Sequence, residues 1–275
     1  VADEVVAVVG AGTMGTGIAR MLLAAGLRVC LSDVDADAGL RARRKLEGVA
    51  AGSGWPSDWA ERLSLIQDVA AVDGCEVVLD ATPQNVQRKV ALLATIAERV
   101  GPGVLVGTVT LGTPLVELDP RGDLAGRLLG FHFMNPPHAL RFCELVVPDG
   151  VAPGLVERAH TLLARIEVGA IVVPDTAGFV LNRALVPFLF TAVRLLEGGV
   201  VSAVDIDRAF VEGCGHPMGP LAIIDLIGID VAIALGEQLY PTVGETCRPP
   251  GLLYTLLTEG RRLHDVGDDR SGRRT

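Results

Sequence analysis

Lysine is almost missing from this chain of 275 residues: Lys45 and Lys89 are the only two, and arginine supplies the other cations. Acidic side chains outnumber basic ones by 33 to 24, a net charge of −9. A surface of that sign cannot displace counterions from phosphates, so no nucleic-acid partner is expected. Also missing is any apolar run of about 18 residues free of charge, glycine and proline, which a bilayer-spanning helix needs. The opening VADEVVAVVG has neither a basic stretch nor a cleavage site, so no membrane association and a cytoplasmic location are expected. Cys30, Cys75, Cys143, Cys214 and Cys247 are an odd number at wide spacings with no CxxC pair. Neither a disulfide framework nor a metal site is suggested, and the cysteines are expected to be buried or free thiols. No internal repeat or low-complexity tract interrupts the chain.

What is present is core-forming: 49% of the residues are hydrophobic, enough for one large domain or two ordinary ones. The first 34 residues read as strand (VVAVVG), helix (GTMGTGIARMLLAAG, apolar at helical spacing) and strand (RVCLSDV), a βαβ unit. A third strand is placed at Leu63, and strand-like runs follow at EVVLDAT, GVLVGTV, LLGFHFM, FCELVV and AIVVPD. Helical stretches such as NVQRKVALLATIAERV and APGLVERAHTLLARI lie between several of them. That alternation predicts a mostly parallel sheet covered by helices. From Thr176 onward only helical periodicity remains, with PLAIIDLIGIDVAIALGEQLY as one long apolar stretch. The expected fold is an α/β Rossmann domain over 1–175 followed by an all-α helical domain over 176–275, with a solvated tail from about Asp265.

Gly10, Gly12 and Gly15 form GAGTMG, with Thr13 and Met14 between, directly after a strand and opening a helix. A dinucleotide pyrophosphate needs that tight turn, close backbone approach and a helix N-terminus with free N–H groups. Asp33 ends the second strand, 18 residues beyond Gly15, close to where an acid accepts from the adenosine ribose. A carboxylate there repels a 2′-phosphate, so NAD is expected over NADP. Taken alone, Asp33 also reads as a helix cap, a role open equally to Asp35.

Two further stretches are unusual for scaffold: GFHFMNPPHALRFCELV, with His132 and Glu144 either side of a Pro-Pro turn, and DTAGFVLNRALVP. Together GAGTMG, HFMNPP, the Glu of CELV, GFVLNR and PMGPLAIIDLIGID resemble the 3-hydroxyacyl-CoA dehydrogenase family, in order from residue 5 to about 260. The resemblance implies NAD-linked interconversion of 3-hydroxyacyl and 3-oxoacyl thioesters. It makes His132 the acid-base residue and Glu144 its orienting partner, roles suited to an imidazole titrating near neutrality and a carboxylate on its other nitrogen. It further implies that Asn182 and Thr110 bind the reacting oxygens, that Lys89 serves the cofactor, that substrate lies between the domains, and that the chain forms a homodimer. Asn182 also reads as a polar residue at a helix start, and Lys89 as a solvated surface residue. The length of the apolar stretch from Pro220 agrees with a dimer.

The departures from the family pattern are specific. Thr110 stands for a serine, Thr108 for an asparagine, and Gln84 for a glutamate near the nicotinamide side. The interval from Asp33 to Leu63 is short for a helical hairpin and holds one lysine, Pro174 stands where a lysine is common, and the terminal signature is missing. Coenzyme A carries phosphates that cations usually meet, so an acyl carrier protein is as good a carrier, with Arg41, Arg43 and Arg44 as its docking candidates. A dehydrogenase of a free hydroxy acid or sugar acid, and a non-catalytic NAD-binding relative, are the other readings. Trp55 and Trp59 either pack the shortened hairpin or line the site, and His138, His160, His216 and His264 are expected to be exposed or locally bonded.

Overall fold

The computed structural model describes residues 4–52 and 54–266. The chain divides between Thr176 and Ala177 into two units. In the first, β1 (Val5–Val9), α1 (Thr13–Ala24) and β2 (Arg28–Ser32) form the expected βαβ unit. α2 (Ala36–Ala50), β3 (Leu63–Ile66), β4 (Val77–Asp80), α3 (Val86–Arg99), β5 (Leu105–Val109), a single turn α4 (Leu115–Leu118) and β6 (Leu128–Phe133) follow. β7 (Phe142–Val147), α5 (Pro153–Arg165) and β8 (Gly169–Pro174) complete it.

All eight strands share one sheet in the order β3-β2-β1-β4-β5-β6-β7-β8. The first six run parallel, and β7 turns back antiparallel to β6 with β8 parallel to it. β1, β4 and β5 at the centre are continuous β-branched and leucine runs because helices cover both of their faces. The helices take their place through their apolar stripes: in α3, Lys89, Leu93 and Ile96 are its buried residues. Between β2 and β3, α2 is the single helix among the described residues. Trp55 and Trp59 beyond it meet edge to face at 5.5 Å and pack on the sheet's core, which decides between their two readings in favour of packing.

The second unit contains α6 (Leu181–Glu197), α7 (Ala203–Cys214), α8 (Pro220–Ile227), α9 (Ile229–Val243) and α10 (Gly251–Glu259), with a short 3-10 turn at Leu263–Asp265. The apolar stretch expected as one long segment is two helices. Gly228 breaks it at φ +102°, a backbone state that other residues rarely adopt. The Asp207 carboxylate accepts the backbone N–H groups of Leu221 and Ala222 at 2.8 Å each, capping α8 from α7. His264 is locally bonded, with Nδ1 2.7 Å from Asp225 and Nε2 3.1 Å from Asp207. Asp265, expected to begin a solvated tail, instead closes that ordered turn; the last nine residues lie outside the described ones. Among the described residues, no helix is long and apolar enough to cross a membrane.

Candidate active site

In the antiparallel ladder of β6 and β7, His132 is the direct partner of Glu144. Residues opposed in this way present their side chains on the same face, so the Pro-Pro turn that joins the strands determines which carboxylate meets the imidazole. Nδ1 of His132 lies 2.6 Å from Oε2 of Glu144, and both side chains are buried. With Nδ1–H donating to the carboxylate, the basic lone pair of the ring is on Nε2. The neighbouring Cys143 thiol is pushed well up by burial and by the charge of Glu144, so it remains a neutral packing group beside the dyad.

Thr110 follows the end of β5 and is fully buried, its hydroxyl 3.4 Å from the Thr113 carbonyl and from the Gly112 N–H. The loop that carries it is anchored by Asp175, whose carboxylate accepts the Leu115 N–H at 2.9 Å. Burial raises the pKa of Asp175, and the N–H groups of Leu115 and Val116 oppose that rise.

Thr108 is fully buried in β5. Its hydroxyl donates to Asp80 Oδ2 at 2.8 Å, and Lys89 Nζ reaches the same oxygen at 2.7 Å and the Thr108 hydroxyl at 3.3 Å. Asp80 also accepts from the Thr82 N–H at 2.9 Å. Lys89 is 1% exposed and Asp80 0%, so the solvated reading of Lys89 is overturned: its ammonium is held in a buried ion pair under the strand ends. Sequence reasoning missed Asp80, although an acid ending the apolar run VVLD, nine residues before a lysine on a helix's apolar stripe, is its signature. Gln84 donates to the Val109 carbonyl at 3.0 Å.

The glycine turn is shaped by contact. A Cβ on Gly15 would lie 1.8 Å from the Gly10 carbonyl oxygen, and one on Gly10, at φ +106°, 2.8 Å from the backbone of Ala81. Nothing lies within 4 Å of a Cβ built on Gly12, the residue before α1. α1 begins with no side-chain cap and no acid in its first turn, where Thr13 is exposed and Met14 packs against the core. Asp33 stands beside this turn, its Oδ2 accepting the Ala11 N–H at 2.7 Å and its Oδ1 the Asp35 N–H at 3.0 Å. Asp35 is the cap of α2, so Asp33 does not cap that helix, and its bond to the Asp35 N–H is a turn contact. An uncapped helix start, an open glycine and an adjacent carboxylate fit a dinucleotide: donors for its pyrophosphate and an acceptor for its ribose. No group of three or more His, Cys, Asp or Glu among the described residues could hold a metal ion.

In the helical unit, Asn182 is in the first turn of α6 and buried. On α2, Arg41 is paired with Asp35 at 2.9 Å and Arg43 with Glu47 at 3.0 Å, so two of the three arginines considered for carrier docking already meet carboxylates.

Residues 5–176 match the 3-hydroxyacyl-CoA dehydrogenase NAD binding domain, and residues 178–268 match the 3-hydroxyacyl-CoA dehydrogenase C-terminal domain. The chain belongs to the 3-hydroxyacyl-CoA dehydrogenase family. It is 32% identical over 271 residues to 3-hydroxybutyryl-CoA dehydrogenase of Mycobacterium tuberculosis, covering 93% of each chain. It is also 33% identical over 236 residues to 5-formyl-3-hydroxy-2-methylpyridine 4-carboxylate 5-dehydrogenase of Mesorhizobium japonicum, covering 82% of this chain and 76% of that one. Among solved structures, (S)-3-hydroxybutyryl-CoA dehydrogenase of Ralstonia eutropha superposes with a TM-score of 0.88 at 28% identity over 94% of each chain. As a dehydrogenase of this family the chain uses NAD, and the first unit carries the NAD-binding fold. Its glycine turn and Asp33 are the groups that fit that cofactor.

Proposed function

We propose that this dehydrogenase interconverts a 3-hydroxyacyl thioester and the 3-oxoacyl thioester. The observation that carries the reading is the buried dyad, with His132 2.6 Å from Glu144. In the oxidative direction His132 takes the hydroxyl proton on Nε2. Glu144 holds the ring in the required tautomer and stabilises the imidazolium that results. NAD, when bound, accepts the hydride from the carbinol carbon. Thr110 and Asn182 are assigned to hydrogen-bond the reacting oxygens, Asn182 on the strength of the family motif. Gly10, Gly12, Thr13, Met14 and Gly15 are assigned to the pyrophosphate and Asp33 to the ribose. Lys89 is assigned to the cofactor side indirectly, through the strand ends that it and Asp80 secure.

The carrier is coenzyme A, as in the names of several relatives, or an acyl carrier protein of a secondary-metabolic or polyketide-precursor route. The single short helix α2 and the scarcity of lysine favour the second; the pairing of Arg41 and Arg43 weakens the docking patch it needs. A second reading, oxidation of a free aromatic or hydroxy acid, is favoured by the 33% identity to the pyridine carboxylate dehydrogenase. We also assign a homodimer formed through the helical unit, where Val200, Val204 and Leu226 are each more than 60% exposed, and a cytoplasmic location.

One assay separates these readings: nicotinamide reduction followed by absorbance, with one 3-hydroxyacyl group offered on coenzyme A and on a carrier protein, and with a free hydroxymethylpyridine carboxylate. Turnover of either thioester supports the proposal, and the larger kcat/KM identifies the carrier. Turnover of the free acid alone establishes the second reading, and no turnover with any of them points to a non-catalytic NAD-binding relative.

A further inference from the structure

Inside a helix alanine is the better helix former, so a buried glycine there is explained by what lies against it. Gly17 is buried in the second turn of α1. A Cβ built on it would lie 2.6 Å from Cγ and 3.1 Å from Cδ of Pro137, inside the roughly 3.5 Å at which carbon atoms rest against one another. By contrast, nothing lies within 4 Å of a Cβ built on Gly48 of α2.

Pro137 belongs to the turn that joins β6 to β7. The Pro136 carbonyl accepts the N–H groups of Ala139 and Leu140 at 3.0 Å each, and the Met134 N–H donates to the Phe142 carbonyl at 3.2 Å. Pro137 is buried, and the next residue, His138, faces the same glycine with Nδ1 3.8 Å from its Cβ position. That nitrogen is buried with no hydrogen-bond partner among the described residues. Burial and the charges of Arg20 and Arg141 lower the pKa of the ring, so a proline and a neutral imidazole pack on a bare stretch of α1 backbone.

We propose that Gly17 and Pro137 are positioning residues for hydride transfer: their contact seats the β6–β7 pair on the cofactor helix and fixes how far bound NAD stands from His132. The proposal rests on the dyad reading given above. Gly17 lies four residues beyond Thr13, where the helix assigned to the pyrophosphate begins, and Pro137 lies five residues beyond His132. A methyl group on Gly17 pushes the turn off the helix by about 1 Å before ordinary contact is restored. The ladder that pairs His132 with Glu144 carries both side chains with it, while the pyrophosphate donors at the helix start stay in place. The loss therefore falls on turnover and not on NAD affinity.

The test compares the parent, G17A, P137A, G17A/P137A and G48A, with H132A alongside. NAD affinity is measured by titration, and kcat and KM by nicotinamide absorbance with 3-hydroxybutyryl-CoA as the probe. G17A is expected to lower kcat by about tenfold to a hundredfold with NAD affinity unchanged. G48A, the same substitution without the contact, should behave as the parent. Alanine at 137 lacks the two ring carbons that meet the new methyl, so G17A/P137A should turn over as P137A does. The positioning role is overturned if G17A turns over as the parent, if its NAD affinity falls together with kcat, if G48A falls as far, or if G17A/P137A stays at the level of G17A. A parent that does not turn over the probe, or an H132A that matches the parent, overturns the dyad reading itself and this proposal with it; a parent that depends on His132 beside an unaffected G17A overturns the positioning alone.

Discussion

At the scale of single residues, the site depends on which hydrogen-bonding groups are already committed. Glu144 is committed to His132, so removing either partner should strike the chemical step and spare cofactor binding. H132A or E144Q is expected to lower turnover by about two orders of magnitude or more. NAD affinity, measured by titration, should stay near that of the unaltered protein; unchanged turnover in both variants would remove the dyad from the mechanism. Asp33 is committed twice, to the Ala11 N–H and to the Asp35 N–H, so the choice of substitution matters. D33N keeps an acceptor and loses the charge, and its preference for NAD over NADP should narrow by about tenfold, the worth of one hydrogen bond to a charged group. D33A also releases Ala11 and should weaken both cofactors; the comparison is read from kcat/KM with each. The dyad was legible through the resemblance of HFMNPP and CELV to the family's motifs, which picks out His132 and Glu144. The turning of Thr108 toward Asp80 was not, because a threonine in a buried strand satisfies its hydroxyl with whatever the fold brings near.

At the scale of elements, α3 carries the clearest lesson. Its buried residues, Lys89, Leu93 and Ile96, fall at the i, i+4, i+7 spacing of one helix face, a placement that the solvated reading of Lys89 passed over. Periodicity does not reveal what neutralises it there, since Asp80 comes from a strand. K89M leaves the Asp80 charge buried without its cation and is expected to cost about 3–5 kcal/mol, measured by urea unfolding. D80N combined with K89M should recover much of that loss, because the pair is then removed together; no recovery would mean that Lys89 stabilises the fold in some other way. The apolar stretch from Pro220 shows the opposite limit. Its hydrophobic pattern passes through Gly228 without interruption, yet the positive φ there ends α8 and starts α9.

At the scale of the whole molecule, the assembly proposed above is tested at the side chain most exposed on the second unit's apolar stretch. L226D places a charge where Leu226 is 71% exposed, so it should be harmless to a folded monomer. If that surface is the dimer interface, the variant should raise the dissociation constant by about tenfold or more, read by sedimentation; an unchanged oligomeric state would move the interface elsewhere.

By itself the sequence determined what depends on neighbours along the chain: the βαβ start, the glycine turn that α1 needs, and the change from alternating to purely helical periodicity near Thr176. These follow from backbone sterics and from which residues share a face within one element. Only the tertiary structure decided the reversal of β7 against β6, the register that sets His132 on Glu144, and the burial of Lys89 against Asp80. Each of these joins groups on different elements, and the contact exists only once the sheet's order and register have been chosen from many that local preference allows equally.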